Sequence, residues 1–360
     1  MDKIDKRLLD IIQDEFPLTS EPYREIASLL AHRQGCLCHS ISAEEVILRL
    51  KRMKVEGIIR RIGAIFDSKK LGYCSTLCAM KVPGQRVGEV AQIVNEYPGV
   101  THNYIRAVKA SKSSKPFHNF NDFDDLNDWN MWFTITARSQ SELDRVRAEI
   151  REKSGIHDLI DLPAVRMFKI RVRFPMLGME GDTRHETRDM RLKTQESEVS
   201  SLKSQVSNLE CEGIVKELQG DIALCHGPFR SIADRLGIEE EELLTKIREL
   251  KDSGVIRRFS AVLHHRNVGI RANAMGVWRV PEDEAEEVGA KMATFPQVSH
   301  CYQRVTQPGW PYNVFTMIHG KTVEDCQQVA NLISKDTEVK DYRLLYSIRE
   351  LKKVSMKYFV

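Results

Sequence analysis

Apolar residues in the first part of the chain recur every three or four positions, a spacing typical of amphipathic helices. They predict a helix before Pro22, a second helix with Pro22 in its first turn, and a third helix that ends at Gly57. Ser42 and Glu45 predict a capping box at the start of the third helix. The segment 58–62 then begins a wing, so this region is predicted to be a winged helix-turn-helix.

Beyond residue 66 the pattern changes to short apolar strands that alternate with helices in the order βαββαβ. This is the order of a ferredoxin-like domain. The strands are expected at 73–82, 100–108, 129–137 and 158–166, with helices near 86–96 and 140–153. A second set of strands is expected at 271–280, 298–305, 313–319 and 339–346, with helices near 283–294 and 322–334.

The whole arrangement occurs twice in the chain. Gly57-Ile-Ile-Arg-Arg returns as Gly254-Val-Ile-Arg-Arg, and the string Tyr97-Pro-x-Val-x-His-x-Tyr-x-Arg returns almost unchanged from Phe295. The period is far longer than the ~20–50 residues of a solenoid unit, so we expect an internal pseudo-dimer of two homologous halves, with a homo-oligomer also possible.

The fold class is therefore α+β, a tandem repeat of a winged helix-turn-helix and a ferredoxin-like domain. A run poor in apolar residues separates the two halves and is predicted to be an exposed linker. The expected domains are a winged helix-turn-helix at 1–66, a ferredoxin-like domain at 67–175, the linker at 176–208, a winged helix-turn-helix at 209–262 and a ferredoxin-like domain at 263–360.

The composition is that of a globular cytoplasmic protein. Of 360 residues, 42% are hydrophobic and 29% are charged, which is enough to bury ordinary cores. The N-terminus carries no apolar signal segment, and no stretch reaches the ~18 consecutive apolar residues of a membrane span. The eight cysteines form no Cys-x-x-Cys pair, which favours buried free thiols over a disulfide framework or a metal site.

Charge argues against a specific DNA partner. The net charge of +3 is too small to indicate nucleic acid by itself. A DNA-reading helix needs basic or amide side chains at its N-terminal end. Here the candidate helices begin with Ser42-Ala-Glu-Glu and with four consecutive glutamates, 239–242, which a polyanion would repel.

The repeated polar string places three chemically active side chains on one face of a strand in each half. Side chains alternate across a strand with period two. Polar groups sharing one face make a poor core, so this face is predicted to line a cavity. The two sets are His102, Tyr104 and Arg106, here called the first triplet, and His300, Tyr302 and Arg304, the second triplet. An insertion at 109–128 in the first half is expected to form a loop over this pocket.

The combination of winged helix and βαββαβ domain resembles the Lrp/AsnC family of regulators. The strings Gly254-Val-Ile-Arg-Arg-Phe, Val298-Ser-His-Cys-Tyr-x-Arg, Trp310-Pro-Tyr-Asn-Val and Tyr346-Ser-x-x-Glu-x-Lys-Lys resemble, more narrowly, the sirohaem decarboxylases of that fold. The resemblance implies a carboxy-lyase that converts two acetate side chains of sirohaem to methyl groups, giving didecarboxysirohaem for haem or denitrifier-haem synthesis. Its members usually pair two related subunits, which this chain fuses.

Sirohaem is a flat iron macrocycle fringed by carboxylates, so its site needs several fixed cations and a proton donor. The expected donors are His300 with Tyr302 and His102 with Tyr104. The expected carboxylate anchors are Arg60, Arg61, Arg106, Arg257, Arg258, Arg266 and Arg304. Trp310 and Tyr312, with Trp129 and Trp132, could cover the macrocycle, while His264 and His319 either position it, ligate its iron or are structural. No cofactor is implied beyond the iron tetrapyrrole substrate.

Two other functions stay open from the sequence: a Lrp/AsnC-type transcriptional regulator and a non-catalytic tetrapyrrole-binding protein. The first half also departs from the pattern of the second, since Thr136 stands at the position of His319 and Asp67 at that of His264. We therefore expect the second copy to carry the chemistry.

Overall fold

The computed structural model describes residues 1–32, 41–108, 129–170, 209–264 and 272–360. The predicted loop at 109–128, the linker at 176–208 and Arg266 lie outside the described residues. The chain forms two compact units, each assembled from both halves. The first unit comprises Met1–Gly72, Arg173–Val268 and Lys357–Val360, and the second comprises Tyr73–Val172 and Gly269–Met356.

The elements of the first half follow the predicted order, with a short 3-10 turn at Gly84–Arg86. They are α1 (Lys3–Asp14), α2 (Pro22–His32), α3 (Ala43–Val55), β1 (Ile59–Phe66), β2 (Cys74–Met80), α4 (Val87–Glu96), β3 (Val100–Ala107), β4 (Met131–Ala137), α5 (Gln140–Ser154) and β5 (Leu159–Ile170).

The second half repeats this order. Its elements are α6 (Leu209–Leu218), α7 (Pro228–Leu236), α8 (Glu240–Asp252), β6 (Ile256–Leu263), β7 (Ala272–Trp278), α9 (Ala285–Thr294), β8 (Val298–Arg304), β9 (Val314–Gly320), α10 (Val323–Thr337) and β10 (Tyr342–Lys353).

In the first unit, the strand after each three-helix segment pairs with its duplicate from the other half. β1 and β6 form a two-stranded antiparallel sheet, with Ile62 opposite Ala261 and Gly63 opposite Ser260. The segment 58–62 was expected to begin a wing, and its strand β1 lies in this sheet between the halves. A lone strand leaves its backbone N–H and C=O groups unpaired, and the duplicated strand satisfies them.

The start of α3 differs from the predicted capping box. The Ser42 hydroxyl accepts a hydrogen bond from the backbone N–H of Glu45 (3.3 Å), as expected of an N-cap residue. The Glu45 carboxylate instead pairs with Arg49 one turn later, at 2.6 Å. Arg49 also reaches Asp2 and Asp5 on α1, and these contacts hold α1 against α3.

In the second unit, each half folds into a four-stranded antiparallel sheet of ferredoxin-like order. The orders are β3-β4-β2-β5 and β8-β9-β7-β10. The sheets join edge to edge, β5 with β8 and β10 with β3, and close into an eight-stranded barrel. The two ferredoxin-like domains therefore pair with each other, as the repeat predicts.

The last strand of each half is longer than the sequence predicts. β5 extends to Ile170 and β10 to Lys353, whereas the predicted strands end at 166 and 346. The extra residues pair only with the other half, and register shifts interrupt both seams. A bulge breaks the two-residue alternation from which a strand is recognised, so the extension leaves no periodic signal.

The barrel carries helices on its outer face and an aromatic cluster inside. The helices α4 and α5 cover one outer core, and α9 and α10 cover the other. The interior cluster contains Ala79, Trp129, Trp132, Ile160, Leu162, Met275, Val277, Trp310, Tyr312, Phe315 and Leu345. No helix in the described parts of the chain is both long and apolar enough to cross a membrane.

The cysteines that the structure describes are free thiols. Cys78 and Cys301 are fully buried in the two outer cores, and burial raises the pKa of the Cys78 thiol to about 12. Cys225 is exposed. Within the described residues, no group of three or more His, Cys, Asp or Glu side chains is arranged to hold a metal ion.

Candidate functional site in the barrel

The two polar triplets face the barrel interior from opposite walls. The first lies on β3 and the second on β8, which are four strands apart in the ring of eight. Ile105 and Cys301, which alternate with the triplet residues, belong to the outer cores. The triplet side chains therefore point inward, and each half contributes one histidine, one tyrosine and one arginine to the interior face of the barrel.

In each triplet the rings and the guanidinium form a stack along the strand. The His300 and Tyr302 rings are stacked with centroids 6.3 Å apart, and the His102 and Tyr104 rings repeat this arrangement at the same distance. The Arg304 guanidinium lies 5.0 Å above the Tyr302 ring, and that of Arg106 lies 5.2 Å above Tyr104. Cation–π contact of this kind orients an arginine without neutralising it.

Arg106 is buried and Arg304 is half-buried, and neither has a counter-ion among the described residues. Arg304 donates from Nη1 to the Leu162 carbonyl (2.6 Å), and Arg106 donates from Nη1 to the Leu345 carbonyl (3.3 Å). The Arg304 Nε is buried without a hydrogen-bond partner in the described chain. Burial lowers the pKa of each guanidinium to about 10, which still leaves both protonated at neutral pH. A buried unpaired cation is costly, and an anionic group of a ligand would relieve that cost.

Each histidine has a hydroxyl group at its Nδ1 atom, and the two copies differ in the second partner of that hydroxyl. Ser299 Oγ lies 2.8 Å from His300 Nδ1 and 2.6 Å from His319 Nε2, so one hydroxyl joins two imidazoles. In the first half, Thr101 Oγ1 lies 2.9 Å from His102 Nδ1 and 3.1 Å from Thr134 Oγ1. The repeat places His102 and His300 alike. Among the described residues, a further histidine, His319, shares the hydroxyl only in the second copy.

The strands at the seams bring different neighbours to the two histidines. Lys353 lies opposite His102, and Glu350 lies opposite Tyr104. In the second copy, Ile170 and Met167 occupy the corresponding places beside the second triplet. Directly opposed residues share a face of the sheet. The first triplet thus has charged neighbours and the second has apolar ones, although the sequence reasoning assigned none of these four residues to the site.

The aromatic residues expected to cover the macrocycle are part of the barrel core. Trp310 is 2% exposed, and its ring lies 5.2 Å from Trp132 and 5.1 Å from Tyr312. The Trp132 Nε1 donates to the Trp129 carbonyl at 2.8 Å. These rings are buried against one another and do not form an open slot. A run of aromatic residues in a sequence does not show whether the rings pack into a core or line an open slot.

Several predicted anchors belong to the first unit, where Arg257 and Arg61 make hydrogen bonds with other residues of the same unit. Arg257 holds Asp67 with two bonds, from Nε at 3.1 Å and from Nη2 at 2.7 Å. Arg61 donates to the Gln219 and Ala64 carbonyls, and burial beside Arg60 lowers the pKa of the Arg61 guanidinium. The remaining predicted residues of this unit are Arg60 and Arg258, both half-buried, and His264, which is exposed.

Family models match both kinds of domain. The "AsnC-like ligand binding domain" matches residues 70–169 and 267–352. The "Siroheme decarboxylase NirDL-like HTH domain" matches residues 5–60 and 212–257. Both models therefore occur twice, once in each half.

Similar proteins extend over nearly the whole chain. A sirohaem decarboxylase of Hydrogenobacter thermophilus is 40% identical over 354 residues, covering 98% of this chain and 94% of that protein. A sirohaem decarboxylase NirDL subunit of Paracoccus pantotrophus is 33% identical over 352 residues, covering 97% and 95%. A sirohaem decarboxylase beta subunit of Methanosarcina barkeri is 48% identical over 144 residues, covering 40% of this chain and 95% of that subunit.

Two solved structures also match this chain over its whole length. The crystal structure of the sirohaem decarboxylase NirDL matches with a TM-score of 0.68 and 37% identity, covering 100% of this chain and 95% of that one. A second crystal structure of NirDL, in complex with an iron-uroporphyrin III analogue, matches with the same TM-score and 36% identity. With relatives of this identity along nearly its whole length, the chain belongs to the sirohaem decarboxylase family.

Proposed function

We propose that this chain removes carbon dioxide from two acetate side chains of sirohaem and leaves methyl groups, giving didecarboxysirohaem. The observation that carries the proposal is the duplicated His-Tyr-Arg triplet, in which each arginine is an inward-facing cation, buried or half-buried, without a counter-ion among the described residues. Family membership supports the same conclusion, because full-length relatives have this activity as their name and one of them binds an iron-uroporphyrin analogue.

Substrate carboxylates would supply the counter-ions that Arg106 and Arg304 lack among the described residues. A guanidinium can hold a carboxylate with two parallel hydrogen bonds. The Arg304 Nε, buried and without a partner in the described chain, is a donor available for such a bond. Arg106 and Arg304 face inward from opposite walls, so each is suited to hold a substrate carboxylate on its own side of the barrel. We assign both to side chains that are retained, since tight binding of a departing carboxylate would raise the barrier.

The chemistry then needs one proton for each acetate. The bond between the methylene and the carboxyl carbon breaks, carbon dioxide leaves, and the electron pair stays on the methylene, where the attached macrocycle can delocalise it. A proton delivered to that carbon completes the methyl group. Histidine is suited to this transfer near neutral pH, and the stacked tyrosine of each triplet holds the imidazole ring in place.

The surroundings of the two histidines favour the second copy for this step. Ile170 and Met167 flank the second triplet, and an apolar neighbour stabilises a departing carboxylate less than water does. Lys353 lies opposite His102 and would stabilise a carboxylate in its ground state. We therefore assign proton donation to His300, and to His102 with Tyr104 a role in binding a carboxylate that is retained.

An anaerobic incubation of the purified chain with sirohaem tests the proposal. Mass analysis of the tetrapyrrole should show the loss of first one and then two molecules of carbon dioxide. Sirohaem that binds but is recovered unchanged would indicate a carrier instead of an enzyme. Neither binding nor product, together with capture of a specific DNA site, would favour a regulator.

A further inference from the structure

A hydroxyl group that joins two imidazoles is found in the second copy of the site. Ser299 is buried, and its Oγ lies within hydrogen-bond distance of both His300 Nδ1 and His319 Nε2, at 2.8 and 2.6 Å. A serine hydroxyl has one proton to donate and lone pairs with which to accept. It can therefore accept from one imidazole while it donates to the other.

We propose that His319 and Ser299 form a proton relay that recharges His300, an inference that rests on the function proposed above. His300 gives its Nε2 proton to the methylene carbon. At the same time its Nδ1 takes the Ser299 hydroxyl proton, and Ser299 takes a proton from Nε2 of protonated His319. His300 ends as a neutral imidazole with its proton on Nδ1, Ser299 keeps its hydroxyl, and His319 becomes neutral.

The relay keeps His300 from becoming an anion when it donates its proton. Loss of the Nε2 proton alone would leave an imidazolate in a partly buried site, and a buried charge of this kind is costly. In the first copy, the corresponding hydrogen bonds among the described residues lead from His102 to a second threonine hydroxyl. Thr101 joins His102 to Thr134, at 2.9 and 3.1 Å, and a threonine hydroxyl is not a proton source near neutral pH. Ser299 and His319 act through His300, so they are positioning and relay residues.

A pair of substitutions at Ser299 tests the relay in the full chain. Ser299→Ala removes the bridging hydroxyl, and we expect turnover to fall by about 10²-fold, the lower end of the range for general acid help, while sirohaem binding stays within about twofold. Ser299→Thr keeps a hydroxyl at the same place, as Thr101 does in the first copy, and should recover most of the turnover. Thr101→Val is the matched change in the other half and should cost less than Ser299→Ala.

The possible outcomes distinguish a failure of the relay from a failure of the proposed function on which it rests. If Ser299→Ala and Ser299→Thr lose turnover equally, or if Thr101→Val is as damaging as Ser299→Ala, the relay is wrong. A loss confined to sirohaem affinity would also overturn it, because the hydroxyl would then serve binding. If the wild-type chain itself yields no product, the proposed function fails, whatever the variants do.

A separate observation concerns how the halves recognise each other at the two seams. Phe168 on β5 packs into the core of the second half against Gly289 of α9. A Cβ atom at Gly289 would overlap Cε2 and Cζ of that ring, so a larger residue at this position would force the Phe168 ring to move. Lys169, the next residue, donates from Nζ to the Phe295 carbonyl at the end of the same helix, at 3.0 Å.

The opposite seam repeats this contact with changed sizes. Leu351 on β10 is the duplicate of Phe168, and Ala91 on α4 is the duplicate of Gly289. Leu351 packs against the core that contains Ala91, and its carbonyl accepts from Asn95 Nδ2 of α4 at 3.2 Å. Lys352 donates to the Tyr97 carbonyl at 3.1 Å, as Lys169 does to Phe295. A large residue thus meets glycine at one seam, and a smaller residue meets alanine at the other.

We infer that these two contacts form a steric code that makes each half select the other half and not a second copy of itself. Two first halves would press Phe168 against Ala91, and overlap of this kind is destabilising. Two second halves would place Leu351 over Gly289 and leave a void. The code therefore directs closure of the barrel to unlike halves.

Exchange of the code within the full chain tests this inference. Phe168→Leu with Leu351→Phe mismatches both seams, and the melting temperature should fall by roughly 5 °C or more. Adding Ala91→Gly and Gly289→Ala moves the matched pairs to the opposite seams and should recover most of that loss. Gly289→Ala alone should destabilise, whereas Gly88→Ala, a control at a helical glycine with open space around it, should not.

Two results would contradict the code. One is a fourfold variant that melts no higher than the mismatched pair. The other is a Gly289→Ala protein that melts like Gly88→Ala, since the ring of Phe168 would then tolerate a methyl group at this position.

Discussion

At the scale of single residues, the chemistry of the barrel depends on the neighbours of two duplicated histidines. His102 and His300 have the same stacked tyrosine and the same hydroxyl at Nδ1. They differ in the residue across the strand, which is Lys353 for one and Ile170 for the other. The sequence indicates the histidines, because alternation in a strand is visible in the sequence. It does not indicate their neighbours, which come from the other half through a bulged seam.

This difference predicts unequal effects of two matched substitutions. His300→Ala should lower turnover by about 10²–10⁴-fold, the usual contribution of a general acid. His102→Ala should cost much less turnover and act mainly on substrate affinity. Steady-state rates with sirohaem under anaerobic conditions measure both. If His102→Ala is the more damaging change to turnover, the donor assignment must be reversed.

The triplet arginines lead to a prediction about stability. Burial lowers the pKa of Arg304 to about 10, below its value in the unfolded chain. Below pH 10 the protonated guanidinium therefore opposes folding, and stability from this group rises as the pH passes upward through about 10. A bound carboxylate should relieve the same cost at neutral pH. We expect an iron-uroporphyrin to raise the melting temperature of wild type more than that of Arg304→Gln, and equal shifts would contradict this role.

At the scale of elements, the helices at the DNA-reading position begin with acidic residues. The N-terminal turn of α8 contains Glu240, Glu241 and Glu242. In α3, Arg49 and Arg52 are both engaged by the buried Asp5 carboxylate of α1. The acidic helix starts are visible in the sequence, whereas the ion pairs of Arg49 and Arg52 with Asp5 are seen only in the structure.

We therefore expect no sequence-specific DNA binding at physiological salt. A selection from random duplexes followed by a gel-shift assay measures this, with a scrambled duplex as the control. Weak binding that disappears with added salt and ignores sequence agrees with the prediction, because phosphate contacts alone behave in this way. A duplex bound specifically at nanomolar affinity, as true regulators bind, would contradict it.

At the scale of the whole molecule, two homologous halves share one barrel. The repeat predicts that the ferredoxin-like domains pair, and the structure shows that pairing as two seams, β5 with β8 and β10 with β3. Closure into a ring could not be predicted, since it depends on strand extensions that have no periodic pattern. In the first unit, the pairing of β1 with β6 was likewise not predicted. The sequence of one half gives no sign that its strand pairs with the duplicate strand of the other half.

Because the two halves are joined at both seams, we expect them to stay associated even when the covalent link between them is cut. A protease site placed in the 176–208 segment should allow the chain to be cut while the halves remain associated and retain activity. Gel filtration of the cut protein and its rate with sirohaem measure this, with the uncut chain as the control. Halves that separate after cleavage would show that the seams are weaker than the structure implies.

The central claim, that this single chain performs both decarboxylations, is tested most directly by counting the carbon dioxide released for each sirohaem consumed. The measurement uses purified wild-type protein under anaerobic conditions with no second protein present. The account predicts two molecules of carbon dioxide per sirohaem, with didecarboxysirohaem as the recovered tetrapyrrole. Release of one molecule, or of none while sirohaem remains bound, would contradict it.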